Sequence, residues 1–367
     1  MHIAIVGAGI NGLMTALELV EQNCSISIFD QQHAGQAASW AGGGILSPMY
    51  PWRYPQAVND LAQYAKPMYQ AWNKKLQPIT GIDFEIHESG MLIFDAEDVD
   101  VGLNYATQHH EPLQHAALLS TETLQTINPR ISKQFSQALH FPHLANVRNP
   151  RLLQSIITYL KQHPQVLWHE HCKIHHVSYH AQKIQYIQDQ RATQYTADQY
   201  IFTTGAWSEQ LGPQLSIDIP VHPVQGQMVL FKTPKDWLPT ICMNKVMYLI
   251  PRQDGHIVCG SSMREVGFDT RPAAQIRKQI LTACFEMVPE LEKFPVQQEW
   301  AGLRPSSPQG IPYIGKIAQL DNAWSNFGHF RNGLCMAPAS AKLLRQLILG
   351  QAPFVNPVAY SPQRLNG

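Results

Sequence analysis

The pattern of apolar and polar residues at the start of the chain changes period twice. Residues His2–Val6 form a short, mostly apolar run, which is typical of a strand buried in a parallel sheet. Over residues 11–20 the apolar side chains recur at helical spacing, and Ser25–Phe29 is again strand-like and ends at Asp30. The pattern therefore predicts a strand, a helix and a second strand between His2 and Asp30.

The rest of the chain alternates in the same way. Helical spacing predicts helices over residues 59–76, 152–161, 274–287 and 337–349. Apolar and β-branched runs bounded by turn residues predict strands over residues 84–95, 166–169, 184–187, 200–204, 226–232, 247–251 and 256–260. Because a β-rich centre lies between two mixed regions, we expect an α/β fold with a smaller, inserted domain built on an antiparallel sheet.

The same reasoning places the domain boundaries. We expect the nucleotide-binding domain to be discontinuous and to consist of residues 1–83, 142–214 and 303–367. The inserted, substrate-binding domain is expected to consist of residues 84–141 and 215–302. A chain of 367 residues is long enough for two such domains around one cleft.

The composition is that of a globular protein with no charge bias. Hydrophobic residues make up 44% and charged residues 15%, and 27 basic side chains balance 27 acidic ones. Because there is no basic excess, we do not expect nucleic acid or an anionic membrane surface as a partner. We expect small molecules instead. The sequence lacks the ~20 consecutive apolar residues of a membrane span and a signal-peptide pattern, so we expect a cytoplasmic protein.

Cysteine and histidine residues show neither a disulfide pattern nor a metal-binding pattern. The six cysteines are scattered without a C-x-x-C pair, and we expect free thiols. Several of the 17 histidines lie close together, at positions His169, His171, His175 and His176. Histidines on a half-solvated strand are most often surface residues, so we expect no metal site there.

The turn after the first predicted strand has the sequence Gly7-Ala8-Gly9-Ile10-Asn11-Gly12, which matches G-x-G-x-x-G. Gly7 permits a tight turn, Gly9 lets the backbone approach a pyrophosphate, and Gly12 allows close packing of helix and strand. The pyrophosphate would lie at the helix N-terminus, where free N–H groups favour anions. Asp30 is placed to accept a hydrogen bond from a ribose hydroxyl. We therefore interpret the motif as dinucleotide-binding.

This motif does not distinguish NAD from FAD, and two further features favour FAD. Small residues dominate the loop at residues 37–45, so its backbone amides could line the phosphates and ring of a flavin. The sequence Thr204-Gly205-Ala206-Trp207 closes a predicted buried strand, as is common where a flavoprotein sheet approaches its dinucleotide. An NAD-dependent dehydrogenase remains the alternative.

Two sequence strings near the C-terminus are distinctive. The first is Trp300-Ala301-Gly302-Leu303-Arg304-Pro305 followed by Gly310-Ile311-Pro312-Tyr313-Ile314-Gly315, and it resembles a hallmark of the D-amino acid oxidase superfamily of FAD-dependent oxidoreductases. The second is Gly328-His329-Phe330-Arg331-Asn332-Gly333, which is similar to the glycine oxidase group of that superfamily. The resemblance extends through nearly the whole chain and is also strong over residues 2–30, 248–252 and 260–268.

The resemblance implies a binding site for an amino acid substrate. Arg304 matches the carboxylate-binding arginine of the family, and a guanidinium can hold a carboxylate through two parallel hydrogen bonds. Tyr248 matches a tyrosine whose hydroxyl helps to hold the same group. Arg331 matches a second arginine near substrate and flavin, and Met263 matches an apolar residue beside the substrate Cα. No residue is expected to act as a general acid or base.

The motif and the resemblance together imply which residues contact the cofactor. We expect these to be Gly7, Gly9, Ile10, Asn11, Gly12, Asp30, Gln31, Ala38, Ser39, Gly43, Gly44, Ile45, Ile174, Gly205, His329, Phe330, Arg331, Asn332, Gly333 and Leu334. Monomeric sarcosine oxidases bond the flavin to a cysteine just after the segment that matches Leu303-Arg304-Pro305. Here Ser306, Ser307 and Pro308 follow, so we expect FAD to be bound non-covalently.

The activity that the resemblance implies is FAD-dependent oxidative deamination of glycine and other small amino acids or amines. Glycine, O₂ and H₂O give glyoxylate, NH₃ and H₂O₂, by hydride transfer from the substrate Cα to flavin N5. The protein supplies orientation and electrostatics. The resemblance also implies a homotetramer and a place in thiazole synthesis for thiamine.

Several alternatives stay open. A sarcosine oxidase, a D-amino acid oxidase and a D-amino acid dehydrogenase belong to the same superfamily. A non-catalytic or tRNA-modifying flavoprotein is a further alternative, although such proteins usually have a basic face. Residues 47–55, which are rich in proline and aromatic residues, form either a lid over the active site or a rigid surface connection.

Overall fold

The computed structural model describes residues 1–109, 113 and 115–366. The strands are β1 (His2–Val6), β2 (Ser25–Phe29), β3 (Met91–Ile93), β4 (Ala117–Ser120), β5 (Gln137–Phe141), β6 (Val166–His169), β7 (Ile174–His180), β8 (Lys183–Asp189), β9 (Gln194–Tyr195), β10 (Gln199–Phe202), β11 (His222–Lys232), β12 (Ile241–Met243), β13 (Tyr248–Pro251), β14 (His256–Gly260), β15 (Val296–Ser306), β16 (Tyr313–Lys316) and β17 (Ala323–Phe327). The α-helices are α1 (Ile10–Val20), α2 (Ala38–Ala41), α3 (Gln56–Ala62), α4 (Ala65–Thr80), α5 (Val99–Thr107), α6 (Thr121–Ile127), α7 (Asn149–Gln162), α8 (Gly212–Leu215), α9 (Ala274–Met287) and α10 (Gly333–Ile348).

A sheet of six strands, counted over the described residues, has the order β16-β17-β10-β1-β2-β6. All neighbouring pairs are parallel except β16 and β17. In the centre, Val6 of β1 lies beside Phe202 of β10 and Phe29 of β2. The carboxyl ends of these three strands therefore meet at one edge, where a nucleotide binds in folds of this kind. The expected strand–helix–strand unit and α/β fold are confirmed, and the parallel strand arrangement is Rossmann-like.

Glycine is required in the turn that joins β1 to α1. Gly7 has a φ of +109°, and a Cβ at this position would lie 2.5 Å from the carbonyl oxygen of Thr203. A Cβ on Gly12 would overlap the carbonyl oxygen of Gly7. Because neither position can hold a side chain without displacing backbone, these glycines let the helix start directly against the sheet edge.

The second large sheet has eight strands within the described residues, in the order β15-β11-β14-β13-β12-β3-β5-β4. Its pairs are antiparallel except β12 and β3, which confirms the expected antiparallel sheet. In the longest pairing, Gly226 of β11 lies opposite Gly302 of β15. Since β15 runs across residue 303, it spans a boundary that we placed from the sequence, and the division into domains stays a prediction.

Most predicted elements lie close to their expected positions, and two differ for a local reason. The helix predicted over residues 59–76 is two helices, because Pro67 has no N–H for helix continuation and is tolerated only in the first turn of α4. Of the strand predicted over residues 84–95 only β3 forms. Glu85 and Gly90 have φ angles of +53° and +66°, which interrupt the extended backbone.

Helix α10 begins at Gly333, earlier than the predicted start at residue 337. Pro338 lies inside this helix and has no N–H. The carbonyl of Leu334, one turn before it, therefore has no backbone donor within the helix. The hydroxyl of Tyr69, on α4, donates a 2.8 Å hydrogen bond to this carbonyl. Tyr69 is fully buried, and its hydroxyl thus replaces the missing backbone donor.

We expect Tyr69→Phe to lower the free energy of unfolding by about 1 to 2 kcal/mol, because it leaves the Leu334 carbonyl without a donor. Chemical denaturation of the wild type and the variant measures the difference. Tyr159→Phe is the matched control, since its hydroxyl bonds to Glu21 at an exposed position and should change stability little. Equal losses in both variants would contradict the role of Tyr69.

Nothing in the described part of the chain resembles a membrane span: none of its helices combines the length and the apolar character that crossing a bilayer requires. The six cysteines are all buried and free. Among the described residues, no group of three or more His, Cys, Asp or Glu side chains is arranged to hold a metal ion.

Candidate active site

A cavity of about 400 Å³ lies between the carboxyl edge of the six-stranded sheet and one face of the eight-stranded sheet. Most of the residues predicted from the sequence line it: Gly7, Gly9, Ile10, Asn11, Asp30, Gln31, Ala38, Ser39, Gly43, Gly44, Ile45, Ile174, Gly205, Tyr248, Arg304, Phe330, Arg331, Asn332, Gly333 and Leu334. The structure thus brings together segments from both ends and the centre of the chain.

Three predicted site residues lie outside this lining. Gly12 packs beneath the turn against Gly7, and His329 is fully buried behind Asn11. Met263 is 57% exposed and lies at the rim, with its sulfur 3.7 Å from Nη1 of Arg331. We therefore expect Met263 to lie at the entrance of the cavity. Gly12 and His329 are expected to act on the cavity through Gly7 and Asn11, which they contact.

Asp30 is oriented by backbone donors at the end of β2. Its Oδ2 accepts a 2.8 Å hydrogen bond from the N–H of Ala8, and its Oδ1 accepts one of 2.8 Å from the N–H of Gln32. Burial raises the pKa of the Asp30 carboxyl, and the two N–H donors oppose this effect. The carboxyl keeps free lone pairs at the cavity, as binding of a ribose hydroxyl requires.

The N-terminus of α1 is held against the small-residue loop. Ser39 accepts a 2.8 Å hydrogen bond from the N–H of Ile10 through its Oγ. The Ser39 carbonyl in turn accepts a 2.8 Å bond from Nδ2 of Asn149, at the start of α7. These two bonds join the loop, which contains the helical turn α2, to both helices and keep it at the cavity.

Some polar atoms in the cavity wall have no hydrogen-bond partner within the described part of the chain, and they show whether the wall suits a dinucleotide. Asn11 Oδ1, Asn149 Oδ1 and Asn332 Nδ2 are buried, belong to lining residues and have no hydrogen-bond partner among the described residues. Buried polar atoms are normally hydrogen-bonded, so they indicate a polar ligand. Because α1 and α10 both begin at this wall, the N–H groups of their first turns, apart from that of Ile10, which donates to Ser39, suit the phosphates and carbonyls of FAD.

His329 joins these two helices in its neutral form. Its Nδ1 lies 3.3 Å from Nδ2 of Asn11 on α1, and its Nε2 lies 3.1 Å from Oγ of Ser340 on α10. Burial lowers the pKa of His329 to about 3, so the ring carries no charge at neutral pH. It therefore fixes the side chain of Asn11 in the cavity wall.

At the other end of the cavity, the hydrogen bonds of Arg304, on β15, go to neutral groups among the described residues. Its Nη2 donates to Ser261 Oγ at 2.5 Å, and its Nη1 donates to the Ser262 carbonyl at 3.1 Å. Burial is the main reason that the pKa of Arg304 is lowered, and the nearby charge of Arg331 adds to it. In the described part of the chain no carboxylate forms an ion pair with either arginine, so both can accept an anionic ligand.

Tyr248 lies next to the Arg304 guanidinium. Its hydroxyl donates to Ser261 Oγ at 3.1 Å, so Ser261 links the two side chains. Nη2 of Arg331 lies 3.9 Å from the sulfur of Met49, which also lines the cavity. The arrangement places two guanidinium groups and a phenol beside apolar side chains, which is a suitable site for a small molecule with a carboxylate.

Residues 47–55 are held in place by two carboxylates. Tyr50 donates to Asp95 at 2.5 Å, and Trp52 Nε1 donates to Asp98 at 2.7 Å. Arg53 also pairs with Asp98, which is buried. These bonds favour a rigid wall over a mobile lid for this segment, and Met49 lies within it.

Sequence reasoning did not single out Ser261, Met49 or Asn149. The sequence contains a signal for two of them. Ser261 lies within residues 260–268, a stretch that resembles the family, and Met49 lies in the proline- and aromatic-rich segment 47–55. Asn149 is polar, starts a helix and is 1% exposed, but only the fold shows that its side chain reaches the loop.

The fold and the cavity are those of a dinucleotide-binding protein. The chain matches the DAO family, described as FAD dependent oxidoreductase, over residues 2–347, and it belongs to that family. FAD, and not NAD, is therefore its cofactor.

Two relatives and a solved structure are similar over almost the full length. Glycine oxidase of Pseudomonas putida is 38% identical over 362 residues, which are 99% of this chain and 98% of that protein. Glycine oxidase of Pseudomonas aeruginosa is 38% identical over 361 residues, which are 98% of each. The crystal structure of glycine oxidase from Geobacillus kaustophilus has a TM-score of 0.92 at 23% identity and covers 99% of this chain and 98% of that one, and it supports the fold.

Proposed function

We propose that this protein oxidises glycine to glyoxylate and NH₃, with O₂ as the acceptor and H₂O₂ as the second product. The observation that carries the proposal is the Arg304 guanidinium, which has no acidic partner among the described residues and lies with the Tyr248 hydroxyl in the FAD cavity. The two glycine oxidases that are 38% identical over nearly the whole chain support the choice of substrate.

The chain's own residues bind and orient the substrate. Arg304 holds the carboxylate through two parallel hydrogen bonds, and the Tyr248 hydroxyl turns its single proton from Ser261 Oγ to the carboxylate when the substrate binds. Since Ser261 Oγ contacts both side chains, it keeps the two donors in register. Bound FAD supplies the two-electron acceptor for the Cα–H bond. Orientation of the substrate is the contribution expected of the protein, and no general base is assigned.

The walls around Arg304 favour a small substrate. Met49 lies in segment 47–55, which hydrogen bonds of Tyr50 and Trp52 anchor, and Met228 and Arg331 line the same cavity. We expect these side chains to leave little room beside the substrate Cα, so that glycine is preferred over D-alanine. One extra methyl group in a tight apolar pocket changes the free energy by ~1–3 kcal/mol.

A substrate panel tests this function. The purified yellow protein is assayed for H₂O₂ formation and O₂ consumption with glycine, sarcosine and D-alanine, without an added electron acceptor. We expect the highest kcat/KM with glycine. A higher value with sarcosine or D-alanine would assign the chain to the other oxidases of the superfamily, and activity only with an added acceptor would identify a dehydrogenase.

We propose three further properties on the resemblance of the sequence to the glycine oxidase group. The protein is cytoplasmic, it assembles as a homotetramer, and its product enters thiazole synthesis for thiamine. The roles of the remaining predicted residues at the FAD cavity are proposals of the same kind.

A further inference from the structure

One face of β13 is directed at the small-residue loop of the FAD cavity. Side chains in a strand alternate, so Tyr248 and Ile250 point to the same side, and Arg252, which directly follows β13 and pairs with His256, continues this alternation. A Cβ on Gly43 would lie 2.6 Å from Cδ1 of Ile250 and 3.2 Å from Cε2 of Tyr248. The next side chain on this face, Arg252, donates from Nη2 to the Gly43 carbonyl at 2.7 Å.

The Arg252 guanidinium joins this loop to a second segment. Its Nη1 donates to Asn146 Oδ1 at 2.5 Å and to the Val147 carbonyl at 2.8 Å. The two segments also meet directly, because Val147 N–H donates to the Gly44 carbonyl at 2.8 Å. A Cβ on Gly44, where φ is +82°, would overlap the Val147 carbonyl. Arg252 therefore clamps a tight contact between two backbone segments.

Arg252 is a buried cation, and within the described part of the chain none of its hydrogen-bond acceptors is a carboxylate. Its side chain is only 7% exposed, and all three acceptors are neutral oxygens. The nearest acids, Glu85 and Asp254, form ion pairs with Arg148 instead, at 3.0 and 2.8 Å. Burial lowers the pKa of Arg252 to about 10, which still leaves it protonated at neutral pH.

A buried arginine of this kind is unfavourable unless its hydrogen bonds are well formed. Here the guanidinium satisfies three acceptors with a fixed planar geometry, which a lysine cannot reproduce. One of those acceptors is the carbonyl of Gly43, a residue of the cavity wall. The clamp thus acts where the cofactor binds, although Arg252 itself does not line the cavity.

We propose that Arg252 is a positioning residue for FAD: it fixes the Gly43 carbonyl, and with it residues 42–44, in the conformation that binds the cofactor. The inference rests on FAD binding, which the family establishes, and not on glycine as the substrate. Its failure would therefore leave the proposed function untouched.

The test is titration of the apoprotein with FAD, followed by flavin fluorescence, for the wild type, Arg252→Met and Arg252→Lys. We expect the Kd for FAD to rise about 10- to 100-fold in Arg252→Met, because charged hydrogen bonds to backbone oxygens are lost. Arg252→Lys should lie between this variant and the wild type. The melting temperature of each apoprotein is measured in parallel, and the visible spectrum of bound FAD should shift in both variants.

Arg148→Met is the matched control, since it removes the same charge from a neighbouring, ion-paired position and should leave the Kd for FAD within about twofold of the wild type. Wild-type affinity in both Arg252 variants would overturn the inference. So would a change in Kd that is as large in Arg148→Met, because charge alone would then explain it. If Arg252→Met does not fold, the comparison uses Arg252→Lys. A higher Kd for FAD at an unchanged melting temperature of the apoprotein supports the positioning role. A lower melting temperature with an unchanged Kd rejects it.

Discussion

Replacing Arg304 by alanine is expected to lower kcat/KM for glycine about 10- to 100-fold. The guanidinium lies in the FAD cavity without an acidic partner among the described residues, and its bonds to Ser261 and Ser262 leave further N–H donors available to the substrate carboxylate. Hydrogen bonds to charged groups contribute about 1.5–3 kcal/mol, which corresponds to that range. Steady-state oxidase assays measure the change, and binding of a small carboxylate followed by the flavin spectrum separates affinity from turnover.

Two further variants make the Arg304 experiment specific. Arg304→Lys keeps the charge but loses the bidentate geometry, and we expect an intermediate loss. Arg271→Ala removes an arginine whose side chain is 87% exposed and paired with Asp269, and it should leave kcat/KM nearly unchanged. An unchanged apparent affinity for glycine in Arg304→Ala would contradict the proposed carboxylate site.

The elements that the sequence predicted well are those that local rules determine. β2, β6, β14 and α9 have the bounds expected from periodicity alone, because each is an uninterrupted apolar pattern between turn residues. The G-x-G-x-x-G turn was predictable for a similar reason: close steric contacts within a short strand–turn–helix unit, such as that between Gly7 and Gly12, require glycine there.

The site contacts that the sequence did not reveal depend on the pairing of distant segments. Arg252 was visible as part of the resembling string 248–252, but its acceptors at Gly43 and Val147 come from elsewhere in the chain. Likewise, Asp98, whose carboxylate accepts the hydrogen bond from Trp52, lies in a different segment of the chain. Polar residues without periodicity give no sign of their partners until the sheet register is known.

Register also explains a further glycine requirement, at Gly226 on β11. This residue faces Gly302 on β15, and the side chain of Arg304, two residues further along β15, folds back across it. A Cβ on Gly226 would overlap the guanidinium of Arg304. A glycine at this position therefore provides the space in which the carboxylate-binding group lies.

Gly226→Ala is accordingly expected to lower kcat/KM for glycine about tenfold or more, because the added methyl group displaces the Arg304 guanidinium from its bonds to Ser261 and Ser262. No charge is changed, so the loss reports geometry alone. A double-mutant cycle isolates it: in an Arg304→Ala background the same substitution should change kcat/KM by less than about twofold, since the group that it displaces is gone. An equal loss in both backgrounds would show instead that the methyl group acts by disturbing the pairing of β11 and β15, and thermal unfolding of the four proteins would reveal that disturbance.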